Sequence, residues 1–171
     1  MGILDGNPKD EPLHYGEIYE IWVFSLKAKG CISAYRAYQY HVGDKELRKT
    51  IGEIIDQSEL EVTECDEILT HNGIVPTPKL PERPEVKLEE IPVGVRFTDQ
   101  EIAAMVAADI SLGLVSCSAI MGNSIREDVG ALFAKYHATK AAQGFKVLKM
   151  IKQKGWLIPP PLQVKRPDKE A

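Results

Sequence analysis

Apolar residues recur three and four positions apart through four long stretches of the chain, the period of an α-helix with one buried face. The first stretch predicts a helix over about 10–42, with Ile18, Ile21, Trp22, Leu26, Ile32 and Tyr35 recurring at a helical period. Asp10 is its expected cap, Pro12 suits its first turn, and Gly43 ends it. A second helix follows at once over 44–71, capped by Asp44, with Leu47, Ile51, Ile54, Val62, Cys65 and Leu69 inward. It ends in "HNGI", where Gly73 can turn left-handed and Ile74 can pack back. The third, over 98–122, opens on "TDQE", in which Thr98 and Glu101 make a capping box, and runs to Gly122. The fourth, over 123–154, follows Ile125, Val129, Phe133, Tyr136, Val147, Leu148 and Ile151. Asn123 or Ser124 is its expected cap and Glu127 completes a second box; "KGWL" closes it, with Trp156 folding back after Gly155.

The four helices form two tight hairpins, and what joins them sets the fold. Between Ile74 and Phe97 lie five prolines, so no regular helix survives there. A connection over 72–97 can extend about 80 Å, twice the roughly 40 Å of one helix. A loop of that length needs a reason. Crossing the whole bundle is one, and it makes the fold class all-α with a ferritin-like four-helix bundle of two antiparallel hairpins and one long crossover. The alternative is an up-down-up-down bundle with a slack loop. Residues 156–171 read as a proline-rich tail that lies on the bundle or serves as a linker, and 1–171 as a single domain.

Composition narrows the function classes. With 171 residues, 44% of them hydrophobic, the chain can bury a core without a disulfide or metal staple. A net charge of −4 gives no sign of nucleic acid as a partner. Cys31, Cys65 and Cys117 lack CxxC spacing and read as small core residues in a reducing compartment. The start, MGILDGNPKDEP, has no signal-peptide pattern, and Gly at position 6 misses the myristoylation pattern. The stretch from Ile102 to Asn123, which holds "MVAADISLGLVSCSAIMG", is just long enough to cross a membrane. Its Ala, Ser and Gly content, its Asp109 and its lack of basic or aromatic anchors favour a buried bundle helix and no membrane span. The second helix carries nine acids and three bases, the fourth seven bases and two acids, so the two attract as neighbours or simply present solvated faces.

Bundles of this topology commonly hold two metals on a Glu from each of two helices and Glu-x-x-His from the other two. Here the only Glu-x-x-His runs from Glu11 to His14, at a helix start. Neither Glu61 nor Glu64 has a His three residues on, and Glu127 is followed at that offset by Gly130. The full set is absent. A looser set remains: Glu61, Asp109 and His137 at comparable depth, with His14 and Glu17 on one face of the first helix. It reads either as a divalent-metal site or as a metal-free hydrogen-bonded cluster; for Asp109 alone the options are a paired core charge, a ligand, or a solvent-lined position. His14 and Glu17 read equally as a helix-start network. Five of six tyrosines lie in the first helix, and Tyr35, Tyr38 and Tyr40 spread over more than one face, as at an interface or under the crossover.

The stretches "GNPKDEPLHYGEIYEIW", "IPVGVRFTDQEIAAMVAADI" and "NSIREDVGALFAKYHATKAAQGFKVLKMIKQKGWLIPPP" resemble a family of unknown function from spore-forming bacilli, related in fold to ferritin-like spore coat proteins of the coat protein F type. The resemblance spans nearly the whole chain and keeps the element order; "HYGE", "SIRED" and "KGWLIPPP" carry it most specifically. Relatives often hold two such units, and this chain has one. The family implies a ferritin-like bundle and a link to the spore coat, and supplies no catalytic residues. The expected function is a non-enzymatic, coat-associated structural or interaction protein, located in the mother-cell cytoplasm or the coat. It would have protein partners or self-associate, as a homodimer through a face of the first helix, and carry no cofactor. The alternatives are a bundle binding a divalent metal through the looser set, and an adaptor using its proline-rich tail or tyrosine face.

Overall fold

The structure, a computed structural model, describes residues 6–163. Residues 1–5, and with them the start of the amino-terminal segment, lie outside the described residues, as do residues 164–171 of the proline-rich tail. The described residues form four long α-helices and no strand. They are α1 (Tyr15–His41), α2 (Lys45–His71), α3 (Asp99–Asn123) and α4 (Glu127–Gln153).

Local chemistry explains where most of them start and stop. The Asp44 carboxylate accepts from the N–H groups of Glu46 and Leu47 and so caps α2. Thr98 and Glu101 form the expected capping box of α3. Gly73 and Gly155 both take positive φ, 74° and 69°, after the ends of α2 and α4. There the N–H of Ile74 donates back to Leu69 and that of Trp156 to Ile151, satisfying carbonyls that the helix leaves open.

Two boundaries differ from the sequence expectation. Helix α1 starts at Tyr15, not near Asp10, because His14 is its cap; Pro8–Asp10 form a separate 3-10 turn. At the other junction, Ser124 ends α3, its hydroxyl donating to the Ile120 carbonyl, and Arg126 precedes α4 without a side-chain cap of its own. Neither Asn123 nor Ser124 caps α4. Its start is held from another helix, by Glu17.

Two apolar clusters fill the interior. At one end lie Ile32, Tyr35, Leu47, Ile51, Val106 and Val147 among others; at the other lie Ile21, Phe24, Cys65, Leu69, Phe133 and Tyr136. Phe24 meets Phe133 edge-on at 5.0 Å and stacks on Tyr136 at 6.0 Å. The helix ends are tied together by hydrogen bonds between distant residues. At the first end the Asp99 carboxylate accepts from the N–H groups of Gly43 and Asp44, and Lys154 pairs with Asp44 at 2.8 Å. At the second, the His14 ring donates to the Asn123 carbonyl.

The segment between α2 and α3 is bound to the helices along its length. The buried Lys29 donates to the carbonyl of Thr77, Arg36 lies 3.9 Å from Glu82, and Ile91 is buried. Phe97 packs edge-on against Tyr38, and its N–H donates to His41.

Candidate functional site

The polar interior is assembled where α2 faces α4 and where α1 meets both α2 and α3. As the lysines of α4 advance, their partners on α2 retreat, the register of antiparallel neighbours. Lys135 pairs with Glu64 at 3.1 Å, Lys140 with Glu61 at 2.7 Å, Lys146 with Glu53, and Lys154 with Glu46 at 3.1 Å. This is the attraction that the opposite charges of the two helices predict. Most of these pairs are half-exposed and contribute little. The pair of Glu61 and Lys140 is different: the Glu61 side chain is 0% exposed and that of Lys140 13%. Besides Lys140, Glu61 has among the described residues only a 3.4 Å contact from the Gln57 amide.

Lys140 reaches that depth because of a glycine. A Cβ placed on Gly113 would come within 2.9 Å of Lys140 Cδ and 3.3 Å of Cε. The bare backbone of α3 at this point leaves a channel for the lysine stem, whose ammonium also lies 5.6 Å from the centre of the Phe24 ring.

The other interior carboxylates are satisfied by similar means. Asp66 accepts from the Ser25 hydroxyl at 2.6 Å and pairs with Lys29 at 2.7 Å. Glu64 accepts from the Tyr136 hydroxyl at 2.7 Å. Asp109, the lone charge in the apolar stretch of α3, accepts from the Tyr35 hydroxyl at 3.1 Å. Burial first, and then Asp109 beside Tyr35 and Cys65 and Glu64 beside Tyr136, push both phenols well above the ordinary tyrosine range, so both remain hydrogen-bond donors. Burial likewise raises the thiols: Cys117 is pushed up to about 11, and Cys65 and Cys31 are also raised. All three stay protonated at neutral pH, the state that is least nucleophilic and least able to bind metal.

Glu17 is the most fully used carboxylate. It is 0% exposed. One oxygen accepts from the N–H of His14 at 3.1 Å and closes the α1 capping box. The other accepts from the N–H groups of Ile125 and Arg126, at 2.9 and 3.0 Å, where α4 begins. One negative charge thus serves two helix starts, where the helix dipole favours it. In the same box His14 Nδ1 accepts from Gly16 and Glu17, which leaves Nε2–H to donate to Asn123. With Nδ1 an acceptor, the 3.7 Å approach of His14 to Glu17 is not an ion pair. Arg126 is buried beside them, bonded to Asp128 through two nitrogens and to the Glu11 carbonyl.

The five residues proposed from sequence as a looser metal set therefore sit apart. His14 and Glu17 cap helices at one end, Glu61 holds Lys140, Asp109 holds Tyr35, and His137 is half-buried on α4. Among the described residues no three His, Cys, Asp or Glu side chains are placed to hold a metal ion. The donor oxygens of the set are already engaged by ammonium, phenol and backbone groups, and do not fit a metal centre. Of the three tyrosines expected at an interface, Tyr35 is 2% exposed and Tyr38 lies under Phe97, its hydroxyl 3.3 Å from the Met105 sulfur; Tyr40 is half-buried. Sequence reasoning missed Lys140 and Lys29. A lysine within helical periodicity looks like any solvated lysine, and only the glycine at 113 hinted at a close approach.

Comparison with known proteins places the molecule. The chain is 45% identical over 166 residues to YvdQ, an uncharacterized protein of Bacillus subtilis, spanning 97% of this chain and 98% of that one. It is also similar to the crystal structure of a "putative spore coat protein" from Bacillus halodurans, with a TM-score of 0.91 and 46% identity, over 93% of this chain and all of the other. Residues 1–169 match the family described as "Protein of unknown function (DUF3231)". A family match over almost every residue, joined to high identity along the full length of a relative, leads to one conclusion: the chain belongs to the DUF3231 family.

Proposed function

We propose that the chain is a structural or interaction protein of the spore coat, built on a ferritin-like bundle whose carboxylate layer has become structural rather than catalytic. The observation that carries the coat role is the similarity to the Bacillus halodurans protein at 46% identity and a TM-score of 0.91. The ferritin-like reading is supported by the end-to-end hydrogen bonds. Asp99 at the start of α3 meets the start of α2, which supports the reading of segment 72–98 as a crossover along the bundle. Lys29 and Arg36 tie that segment down at Thr77 and Glu82. The structural role of the interior is supported by Lys140, whose ammonium fills the place on Glu61 that a cation-binding bundle would leave open.

A fluorescent fusion expressed in sporulating Bacillus subtilis tests the reading. The expected result is a shell around the forespore, with the intact chain recovered in coat extracts. A signal that stays diffuse in the mother cell, with none in the extracts, refutes it.

A further inference from the structure

Helix α3 and the first half of α1 leave a largely apolar face open. The stretch Val93–Asn123 is long and apolar enough to cross a membrane by length and composition alone, yet only 22% of its most apolar part is buried. Its outer side carries Leu112 and Val115, 66% and 65% exposed. Beside them, Tyr15, Tyr19 and Leu26 of α1 are 91%, 67% and 42% exposed and fall on one side of that helix. Between the two helices runs a notch of about 160 Å³, lined by Tyr19 and Val23 on one side and Ser116 and Ala119 on the other. The exposed tyrosines of the chain are thus Tyr15 and Tyr19, not the Tyr35, Tyr38 and Tyr40 group.

We propose that this α1/α3 face is the contact surface of a two-fold homodimer. Two features select a second copy of this chain as the occupant. The first is area. The two tyrosines expose about 300 Å² and the three aliphatic residues about 200 Å² more, before the alanines and serines of α3 are counted. That lies in the upper part of what the largest patch of a monomer exposes, and is more than half of the roughly 800 Å² per partner of an ordinary dimer. The second is charge. The one charge in the apolar stretch of α3, Asp109, is engaged by Tyr35, so placing the face on its own copy brings no like charges together. The notch carries one charge of each sign on α1, Glu20 and Lys27. A two-fold axis sets the Lys27 of each copy toward the Glu20 of the other, as a self-complementary contact requires. A lipid surface fits less well. Interfacial helices carry basic residues along their polar flank, and a chain of net charge −4 is repelled by anionic lipid.

The dimer is independent of the coat assignment, and its test uses the purified full chain. Sedimentation equilibrium at rising concentration is expected to give twice the 19.0 kDa of one chain. Leu112→Arg, on an exposed site, is expected to weaken association about ten-fold or more while leaving the circular dichroism of the folded chain unchanged. Lys27→Glu alone weakens it, and the swap of Lys27→Glu with Glu20→Lys restores it in part; Val115→Arg repeats the test should Leu112→Arg fail to fold. A monomer at high micromolar concentration overturns the proposal, as does a dimer that neither Leu112→Arg nor Lys27→Glu affects. A monomer that floats with vesicles of phosphatidylglycerol and phosphatidylcholine overturns it in favour of a membrane surface.

Discussion

Replacing Lys140 by Met leaves the lysine stem almost intact but removes the ammonium from Glu61. That carboxylate is 0% exposed and keeps, among the described residues, only the 3.4 Å contact from Gln57. Removing one partner of a buried pair destabilises by about 3–5 kcal/mol, because the other charge stays in the interior without compensation. The exposed neighbour pair of Lys146 and Glu53, 45% and 46% exposed, sets the contrast: Lys146→Met should change stability by less than about 1 kcal/mol. For a chain of this length about 3–5 kcal/mol lowers the melting temperature by about 6–20 °C. Urea unfolding, followed by circular dichroism, measures the free energies. Adding Glu61→Leu to Lys140→Met removes the stranded charge and should recover all but about 1–2 kcal/mol of the loss, since apolar replacements of buried pairs are often close to neutral. The double-mutant cycle isolates the pair term. If Lys140→Met costs no more than Lys146→Met, or if the coupling energy is near zero, then the ammonium is not the partner that holds Glu61 in the core.

Four further outcomes follow from the same contacts. Gly113→Ala should destabilise the parent chain by about 1–3 kcal/mol by pushing on Lys140, yet stabilise a Lys140→Ala background by roughly the 1 kcal/mol of helix propensity; the same sign in both backgrounds, by urea unfolding, refutes the channel. Glu17→Gln turns an amide donor toward backbone donors and should cost about 1–3 kcal/mol, with hydrogen exchange at Ile125 and Arg126 rising; unchanged protection there counts against the cap. The Arg126 guanidinium holds the Asp128 carboxyl below its ordinary range, as Lys154 does for Asp44, so each contributes stability above about pH 3.9 that is lost as pH falls through the lower folded value. The gap between parent and Asp128→Asn stability should therefore be full at pH 7 and close only below about pH 4; a constant gap down to pH 2 refutes the pairing. Elemental analysis of protein purified without chelators should find no stoichiometric iron, manganese or zinc, because Lys140 and Tyr35 engage Glu61 and Asp109; a stoichiometric metal lost in Asp109→Ala would reverse that reading.

Helix ends made by neighbouring residues were readable from sequence. Asp44, the box of Thr98 and Glu101, and the pairs Gly73–Ile74 and Gly155–Trp156 all act within one turn of chain, and all hold. The two misplaced starts have a different origin. His14 caps α1 with a ring nitrogen, outside the usual set of Ser, Thr, Asp and Asn, and α4 is capped by an oxygen from a residue 108 positions away. Local pattern cannot show a partner that only tertiary packing supplies. The interior site failed for the same reason. Acids on α2 and bases on α4 predicted attraction, but not that one lysine of the row would pass a glycine into the core. Asp109 is visible as an anomaly, but nothing in the sequence pairs it with Tyr35: five tyrosines crowd one helix without revealing which of them turn inward.

The carboxylate of Glu17 joins two segments far apart in the chain, and that has a kinetic meaning. Its bonds to Ile125 and Arg126 form only after the α3–α4 hairpin has docked on α1, a late event if each hairpin assembles first from its own local contacts. An interaction absent from the folding barrier acts on the lifetime of the native state rather than on its rate of formation. In that order of events the carboxylate works as a latch, closed last, and the resistance of this bundle to opening depends on how rarely it lets go.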